Sequence, residues 1–368
     1  MKEKVKVVVL FGGQSSEHEV SRTSAQSVLE NLNKEKYDIL AVGITKKGEW
    51  LPFKGEYKHI STGEWEQIAL SEFSSSSNSE RPVVHTVVNF LKDICDGEID
   101  IVFPVLHGTN GEDGSIQGLF ELAGIPYIGC DVLSSACAMD KAVSKIIFEH
   151  AGLNQGKYIV VKKRDLNNGI STIQEKVNDT VGYPCFVKPA NEGSSVGISK
   201  VKEPRELLNA LKIAANYDSK ILIEEYIDGL EIECAVLGFD SPIASIVGEI
   251  IPCNEFYDYD AKYIDGDSKI VIPAKLDENI IKTIQKDAIT AFNALDCSIL
   301  SSVDFFVENK TGKVIINEIN TMPGFTSISM YPKLWDASGI SYQELLDKLI
   351  ELSFLRFKDS LKSYDRNL

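Results

Sequence analysis

The sequence has few of the residues that build metal centres and disulfide frameworks. Its seven cysteines include no CxxC pair, and its five histidines show neither an HExxH motif nor the spacing of a zinc site. An odd number of cysteines in mostly apolar contexts, such as Pro184-Cys185-Phe186, is typical of buried thiols in a reducing compartment. These features argue against a structural zinc domain and against a secreted, disulfide-rich protein.

Long apolar runs and an excess of positive charge are also absent. No segment reaches the length of a membrane-spanning helix, and Met1–Lys4 leads directly into an apolar strand pattern without a signal-peptide segment. We therefore expect a cytoplasmic protein. The net charge of −16 argues against nucleic acid or an anionic membrane as the main partner. It also means that any anionic nucleotide must be held by a local cluster of cations.

The length and composition are those of a globular protein with two or three domains. The chain has 368 residues, of which 43% are apolar and 25% are charged. Its N-terminal third alternates buried strands with helices, which favours a doubly wound α/β layer. The elements predicted there are strands at 5–11, 39–44 and 99–106 and a helix at 21–32. Residues 52–82 lack a clear period and predict an irregular, mobile surface insertion around the serine-rich run 74–79.

The rest of the chain also alternates strands and helices. A helix is predicted from Lys141 to about Ala151, and a smaller α/β unit follows it. The elements of that unit are strands near 158–162, 185–188, 197–201 and 221–225 and a helix at about 203–215. From about residue 231 the pattern returns to apolar strands with two helices, interrupted by a long polar loop at 252–268.

A buried strand pattern from Lys313 to Ile319 runs into a Pro-Gly turn and carries the clearest chemical signal. Because side chains alternate along a strand, Glu318 and Asn320 point to the same face. Asp304, on the preceding apolar run, can supply a third oxygen from a neighbouring strand. Such oxygen ligands suit Mg²⁺, which usually arrives with nucleotide phosphates, so the pattern favours phosphoryl transfer. Taken alone, the pattern also fits an ordinary strand with a solvated glutamate and a turn asparagine.

A loop rich in glycine and serine, Asn191–Gly197, joins two predicted strands. Its backbone N–H groups can cover a phosphate as a flexible flap, although it lacks GxxxxGK[ST] and does not open a helix. Lys141, Lys188 and Lys262 occur beside candidate loops of this kind. Together they would supply the positive charge that an acidic protein needs to hold a triphosphate. Each lysine taken singly is more often a solvated surface residue.

Acidic and histidine-containing segments follow other predicted strands. Glu224 and Glu225 end an apolar strand shortly before Glu231, and carboxylates on such a hinge can accept hydrogen bonds from an adenine amino group and ribose hydroxyls. The loops His107–Gly114 and Ser15–Ser21 each follow a buried strand, where α/β sheets bind ligands. The alternatives are an acidic strand end and simple helix capping.

Six motifs, in a fixed order along nearly the whole chain, are similar to those of the D-alanine–D-alanine ligase family of the ATP-grasp superfamily. They are Gly12–Ser21, His107–Gly118, Met139–Lys141, Phe186–Gly197, Phe256–Tyr263 and Asn317–Met330. The resemblance implies an α/β protein with an ATP-grasp fold and an N-terminal Rossmann-like domain. The implied domains are an N-terminal substrate domain at 1–139, a small central ATP-grasp domain at 140–229 and a C-terminal domain with the metal site and a mobile loop at 230–368.

The same resemblance implies a role for each candidate side chain. Those implied for ATP are Lys141, Lys188, Ser195, Glu224, Glu225, Glu231 and Lys262. Those implied for two Mg²⁺ ions, or Mn²⁺ in their place, are Asp304, Glu318 and Asn320. Glu17 and His107 are implied for the first D-alanine, and Gly324 and Ser329 for the second. Tyr263 is implied to reach Ser194 and Glu17 from a loop that it shares with Lys262 and that closes the site.

The implied reaction is the ATP-dependent ligation of two D-alanines through a D-alanyl phosphate, which gives D-alanyl-D-alanine for peptidoglycan. The implied protein is a homodimer. D-Serine stays open as the second substrate, whereas Tyr263 favours an amine nucleophile over D-lactate. A nicotinamide oxidoreductase is disfavoured because no GxGxxG follows the first strand.

One position departs from the family pattern. The family usually has an arginine two residues before the metal-binding aspartate, and here that position is Ser302. A serine hydroxyl is a neutral single donor, whereas a guanidinium is a charged fork. Three readings follow: another cation substitutes, the substrate differs, or the chain is a weakly active or silent ATP-binding paralogue. The retained lysines and metal-site residues argue against the silent paralogue.

Overall fold

The computed structural model describes residues 4–76, 99–251 and 269–361, which form three sheets with helices packed on them. The strands are β1 Val5–Gly12, β2 Tyr37–Ile44, β3 Trp50–Phe53, β4 Ile101–Pro104, β5 Tyr158–Lys162, β6 Cys185–Pro189, β7 Ser199–Val201, β8 Lys220–Glu225, β9 Gly229–Gly238, β10 Ile243–Ile251, β11 Lys269–Val271, β12 Ile299–Glu308 and β13 Val314–Asn320. The helices are α1 His18–Asn31, α2 Lys58–Thr62, α3 Trp65–Ser76, α4 Ser115–Ala123, α5 Val132–Met139, α6 Lys141–His150, α7 Ile170–Thr180, α8 Leu207–Ala214, α9 Glu278–Ala294, α10 Met330–Ala337 and α11 Tyr342–Ser360. None of the helices in the described ranges is long and apolar enough to cross a membrane.

The first sheet has the order β3-β2-β1-β4. The strand β1 pairs in parallel with both β2 and β4, so these strands are buried on both faces and read as continuous apolar runs. The prediction of an irregular segment at 52–82 is wrong for its first part, because the helices α2 and α3 lie there. Their packing explains the difference: Trp65 and Ala69 are fully buried, one helical turn apart, whereas the apolar Leu70 is exposed and so weakens the period.

The second sheet has the order β5-β8-β6-β7 and is antiparallel throughout. Its central strand β8 is the apolar run Ile221-Leu222-Ile223, all fully buried. The helix expected at 203–215 is a 3₁₀ turn, Pro204–Glu206, followed by α8. Proline at the start of that turn fits a position where no backbone N–H is needed.

The third sheet has the order β11-β10-β9-β12-β13 and is also antiparallel. In the register between β12 and β13, Asp304 lies opposite Glu318 and Ser302 lies opposite Asn320. An irregularity follows at once, between Asp304 and Phe305. The register therefore brings the candidate metal ligands together, with Glu318 and Asn320 at the end of β13 beside Asp304 in the middle of β12.

The cores of the first and third sheets are continuous. One buried cluster joins Val9 and Phe103 of the first sheet to Phe325, Tyr331 and Trp335 near and on α10. The Phe103 and Phe325 rings meet edge to face with centroids 5.5 Å apart. The two ends of the chain therefore fold against each other, and the groove left between the three sheets holds the candidate site.

Candidate active site

A cavity of about 790 Å³ opens between the three sheets. The sequence-predicted residues that line it are Glu17, His107, Lys141, Lys188, Ser194, Ser195, Glu224, Glu225, Glu231, Asp304, Glu318, Asn320, Gly324 and Ser329. The two remaining candidates, Lys262 and Tyr263, lie outside the described residues. The fold thus brings every described candidate to a single cavity.

Glu224, at the end of β8, is buried between two lysines. The ammonium of Lys145 on α6 lies 2.6 Å from one carboxylate oxygen, and the ammonium of Lys188 on β6 contacts the other. Burial raises the pKa of Glu224, but the two ammonium groups outweigh it and lower the pKa to about 2. The carboxylate is therefore charged at neutral pH, and the group of three carries one excess positive charge.

Lys141 begins α6, and the elements around it fix its position. The Asp140 carboxylate caps the helix by accepting from the amides of Ala142 and Val143, at 3.1 and 3.2 Å. The Lys141 ammonium donates to the Glu192 carbonyl at 2.8 Å and lies 3.4 Å from a Glu318 oxygen. Lys141 therefore connects the glycine-serine loop to the end of β13.

The segment Asn191–Gly197 forms a tight loop over the cavity. Ser194 and Ser195 both have positive φ, at 46° and 60°, a backbone region that non-glycine residues seldom adopt. The Ser194 hydroxyl donates to the Glu17 carboxylate, which is buried at the start of α1. Through this bond the loop contacts the first sheet and covers one side of the cavity, as the flap prediction expects.

The middle of β12 and the end of β13 present two carboxylates and an amide to the cavity. The Asn320 amide nitrogen lies 3.3 Å from an Asp304 oxygen, and Glu318 lies opposite Asp304 across the strands. No group of three His, Cys, Asp or Glu side chains in the described ranges is arranged to hold a metal. The Asn320 amide oxygen is a further candidate ligand beside the two carboxylates. Two carboxylates and one amide oxygen are donors that suit Mg²⁺, and the residues fit that ion.

Ser302 is buried and lines the same cavity, opposite Asn320. None of the described lining residues is an arginine. Lysines line it at four positions, 141, 145, 188 and 333. Any positive charge that replaces the family arginine among these residues must therefore come from a lysine or from His107, which also lines the cavity.

A turn after β13 carries Gly324 and Ser329. The Ser329 hydroxyl accepts from the Thr326 amide at 3.0 Å and lies 2.7 Å from the Thr326 hydroxyl. A Cβ on Gly324 would lie 2.7 Å from that Ser329 oxygen. Glycine at 324 therefore leaves room for the Ser329 hydroxyl beside the cavity.

His107 is buried at the end of the first sheet and has polar groups on both ring nitrogens. Its Nε2 lies 3.0 Å from the Ser24 hydroxyl, and its Nδ1 lies 3.2 Å from the Met322 carbonyl and 3.8 Å from a Glu112 oxygen. Burial lowers the pKa of His107, but the hydrogen bond and charge of Glu112 and the charge of Glu17 outweigh it, so the net pKa is raised. The ring is thus biased toward its charged form beside the cavity.

Four charged residues outside the segments singled out from the sequence also line this cavity, namely Lys145, Glu233, Glu249 and Lys333. Lys145 comes four residues after Lys141, which places both side chains on the same face of α6. Glu233 comes two residues after Glu231 on β9 and lies opposite Asp304. Sequence spacing pointed to both. Lys333 on α10 had no comparable signal.

Comparisons with known proteins agree with this geometry. The family model "D-ala D-ala ligase N-terminus" matches residues 6–130, and "D-ala D-ala ligase C-terminus" matches residues 147–351. A D-alanine–D-alanine ligase of Acetivibrio thermocellus is 55% identical, and the match covers 99% of this chain and 100% of the relative. One from Ruminiclostridium cellulolyticum is also 55% identical, with 99% of each chain covered.

Solved structures give the same answer. The VanG D-Ala:D-Ser ligase from Enterococcus faecalis is 40% identical with a TM-score of 0.80, and the match covers 95% of this chain and all of that one. The D-alanine–D-alanine ligase from Coxiella burnetii is 36% identical with a TM-score of 0.81, and the match covers 97% and 96% of the two chains. The predicted resemblance and the predicted ATP-grasp α/β fold are confirmed: this chain belongs to the D-ala D-ala ligase family and is a C–N bond-forming ligase.

Proposed function

We propose that this ligase joins two D-alanines to give D-alanyl-D-alanine for peptidoglycan, with ATP converted to ADP and phosphate. The observation that carries the proposal is that a lysine cluster and an oxygen-ligand cluster meet in one cavity, linked by the contact of Lys141 with Glu318 at 3.4 Å. Cations for phosphates beside ligands for a hard metal ion are what phosphoryl transfer requires. The relatives at 55% identity carry the name D-alanine–D-alanine ligase.

In this proposal ATP lies between the second and third sheets. The ammonium groups of Lys141 and Lys188 contact its phosphates, and Ser195 covers them from the loop. Glu225 and Glu231 hold the adenine and ribose together with Glu224, which also fixes the two buried lysines. Because the protein carries a net charge of −16, this local positive charge is needed to retain a triphosphate.

Asp304, Glu318 and Asn320 are the proposed ligands of two Mg²⁺ ions, with Mn²⁺ as a possible replacement. Bound Mg²⁺ would neutralise part of the charge on the transferring phosphoryl group. The protein's own part is to hold three oxygens on two paired strands, whose register keeps them together.

The substrates are proposed to bind on either side of the transferred phosphate. Glu17 holds the ammonium of the first D-alanine, and the positively biased His107 lies near its carboxylate. Gly324 and Ser329 position the second D-alanine. We assign the domains as 1–139, 140–229 and 230–368, so the first two substrate groups come from the N-terminal domain and the last two from the C-terminal one.

The proposed reaction has two steps. A carboxylate oxygen of the first D-alanine attacks the γ-phosphorus, the bond to the bridging oxygen breaks, and ADP leaves. The amine of the second D-alanine then attacks the acyl carbon and loses a proton, while the C–O bond to phosphate breaks. Lys262 and Tyr263, outside the described residues, are proposed to close the site so that water does not hydrolyse the acyl phosphate. We propose that this occurs in a cytoplasmic homodimer.

D-Serine is a second candidate for the nucleophile, because a D-Ala:D-Ser ligase is among the similar structures at 40% identity. The test is ADP release by the purified protein with Mg-ATP and D-alanine, with and without D-serine, and with products identified by mass. D-Alanyl-D-alanine as the main product supports the proposal. Preferential D-alanyl-D-serine would replace it with the second candidate, and bound ATP without turnover would indicate a silent paralogue.

Ser302 gives a direct prediction for the rate. Adding a guanidinium with Ser302→Arg supplies the charged fork that the family pattern places there, and we expect turnover with D-alanine to rise. The reference scale is the loss of about 10²–10³ in rate when one such oxyanion donor is removed. Steady-state kinetics against Ser301→Thr, a conservative change at the buried neighbouring position, provides the measurement. An unchanged or lower turnover with Ser302→Arg would count against the hypothesis that Ser302 leaves a deficit of positive charge.

A further inference from the structure

Residues 218–220 lead into β8, whose first residue is Lys220. They form hydrogen bonds or ion pairs with two other segments of the chain. On one side the Asp218 carboxylate accepts from Asn191, the first residue of the flap: one oxygen lies 3.1 Å from the backbone nitrogen and 2.7 Å from the side-chain nitrogen. The other carboxylate oxygen accepts from the Lys220 amide at 3.1 Å. Asp218 thus fixes the base of the flap to the first residue of the central strand.

On the other side the Lys220 ammonium forms an ion pair with Asp140. Only 21% of the lysine side chain and 15% of the aspartate side chain are exposed, so solvent screens this pair less than a surface pair. The second Asp140 oxygen caps α6 through the amides of Ala142 and Val143. Lys220 therefore holds the residue that immediately precedes Lys141.

Backbone hydrogen bonds connect the same segments. The Ala190 amide donates to the Lys220 carbonyl at 3.0 Å, and the Lys141 amide donates to the Ala190 carbonyl, also at 3.0 Å. The Lys141 ammonium then returns to the flap at the Glu192 carbonyl, 2.8 Å away. Three segments from separate parts of the chain meet here: the start of α6, the base of the flap and the start of β8. The hydrogen bonds and the ion pair connect each segment to the other two.

We propose that Asp218 and Lys220 are positioning residues of the nucleotide site, which hold the flap and Lys141 in one fixed arrangement over the phosphates. Neither residue lines the cavity, so both act through others. The flap and the lysine must arrive at the same phosphates from different elements, and a displacement of about 1 Å in such a group can cost about 10²-fold in rate. The kinetic test of this inference rests on the proposed function, whereas the hydrogen-exchange test does not.

The first test removes the ion pair without touching the cavity. Lys220→Met keeps the aliphatic stem and loses the charge, and we expect the KM for ATP to rise about tenfold while the KM for D-alanine changes less than about twofold. Lys220→Arg should restore most of the ATP affinity. Asp140→Asn keeps the helix cap but loses the charge. Adding it to Lys220→Met should raise the KM for ATP little further, as expected for two residues that share one interaction.

The matched control is Lys212→Met on α8, an exposed lysine of the same sheet layer with no ion pair to another described residue. It should leave both KM values unchanged. Asp218→Ala removes the hydrogen bonds to Asn191 at the base of the flap. It should raise the KM for ATP, as Lys220→Met does.

A second measurement does not depend on ligation. In hydrogen exchange followed by mass spectrometry, Lys220→Met should speed exchange at residues 190–197 and 141–145 and leave α11 unchanged. Unchanged exchange in both segments, together with unchanged Mg-ATP affinity, would overturn the proposal. Faster exchange in α11 as well would also overturn it, because the residue would then serve general stability. If the wild-type protein makes no D-alanyl dipeptide, the proposed function fails while the exchange data still decide this inference.

Discussion

At the scale of single residues, the arrangement around Glu224 has one carboxylate for two buried ammonium groups. Removing one partner of a buried ion pair is strongly destabilising. Both ammonium groups also line the cavity, where the phosphates of ATP are proposed to bind.

Replacing Glu224 tests this balance. Glu224→Gln removes the carboxylate that pairs with both lysines, and we expect a loss of about 3–5 kcal/mol in the free energy of unfolding, measured by denaturant titration without nucleotide. The pKa of Glu224 is lowered from 4.5 to about 2, so its contribution is full above about pH 4.5 and is lost as the pH falls toward 2. The difference between variant and wild type should therefore narrow below pH 4.5.

The control for this prediction is Glu278→Gln, which removes the exposed partner of Lys282 on α9. It should change stability little at any pH, because exposed ion pairs contribute little. A difference between Glu224→Gln and wild type that stays constant from pH 6 to pH 3 would contradict the assigned cause.

Residue-level chemistry was only partly visible in the sequence. Asp304, Glu318 and Asn320 were predictable because strand alternation fixes which side chains share a face, and the register then brings the two strands together. The burial of Lys145 was not predictable, since an amphipathic helix normally exposes its lysines and the partner Glu224 comes from a distant strand. The pairing of Glu224 with lysines was not predictable for the same reason, because these residues are distant in the sequence.

At the scale of elements, the turn that ends β13 depends on the absence of a side chain at Gly324. We predict that Gly324→Ala turns the Ser329 hydroxyl away from Thr326, because the new Cβ would lie 2.7 Å from it. The expected result is a rise of about tenfold in the KM for the second D-alanine with little change for ATP. Initial-rate kinetics that vary each substrate separately measure this.

Gly118→Ala on α4 is the matched control, because its new Cβ would meet only Val132, at 3.9 Å. It should keep both KM values and raise helix stability slightly. Equal effects of the two substitutions on the KM for D-alanine would show that the space at Gly324 has no special role.

Strands were easier to predict than the helices of the first layer. The strand expected from Lys313 to Ile319 is observed from Val314 to Asn320, because apolar continuity marks a buried strand clearly. The helices α2 and α3 were missed because their serines, threonines and glutamates hide a narrow buried stripe. That stripe is defined by packing, since the Trp65 ring occupies the space where a side chain at Gly43 would lie.

At the scale of the whole molecule, Arg356 on α11 binds the segments that precede α5 and β12, while Asp347 on the same helix binds Lys36 and Tyr37. Arg356 donates to the carbonyls of Gly129 and Tyr127 and to the Ser298 hydroxyl, and its guanidinium lies 4.2 Å from the Tyr127 ring. We predict that Arg356→Met lowers the free energy of unfolding by about 3 kcal/mol, since hydrogen bonds to a charged group are the stronger kind.

Thermal unfolding followed by circular dichroism measures this loss. Arg205→Met, which removes an exposed arginine from the surface pair with Glu203, is the control and should leave the midpoint nearly unchanged. Because the first and third sheets share a core, these two sheets should unfold together in a single transition in both variants. A separate early transition of the first sheet in the wild type would contradict the shared core.

The shared core also has a consequence for synthesis on the ribosome. The strands β1 to β4 are complete by residue 104, but Phe325, Tyr331 and Trp335, which cover part of their buried face, are made more than two hundred residues later. At ~5–20 residues per second, that face waits on the order of 10 to 50 s for its cover. During this interval the nascent chain exposes an apolar surface that later parts of the chain bury, and such exposed surface is prone to aggregation.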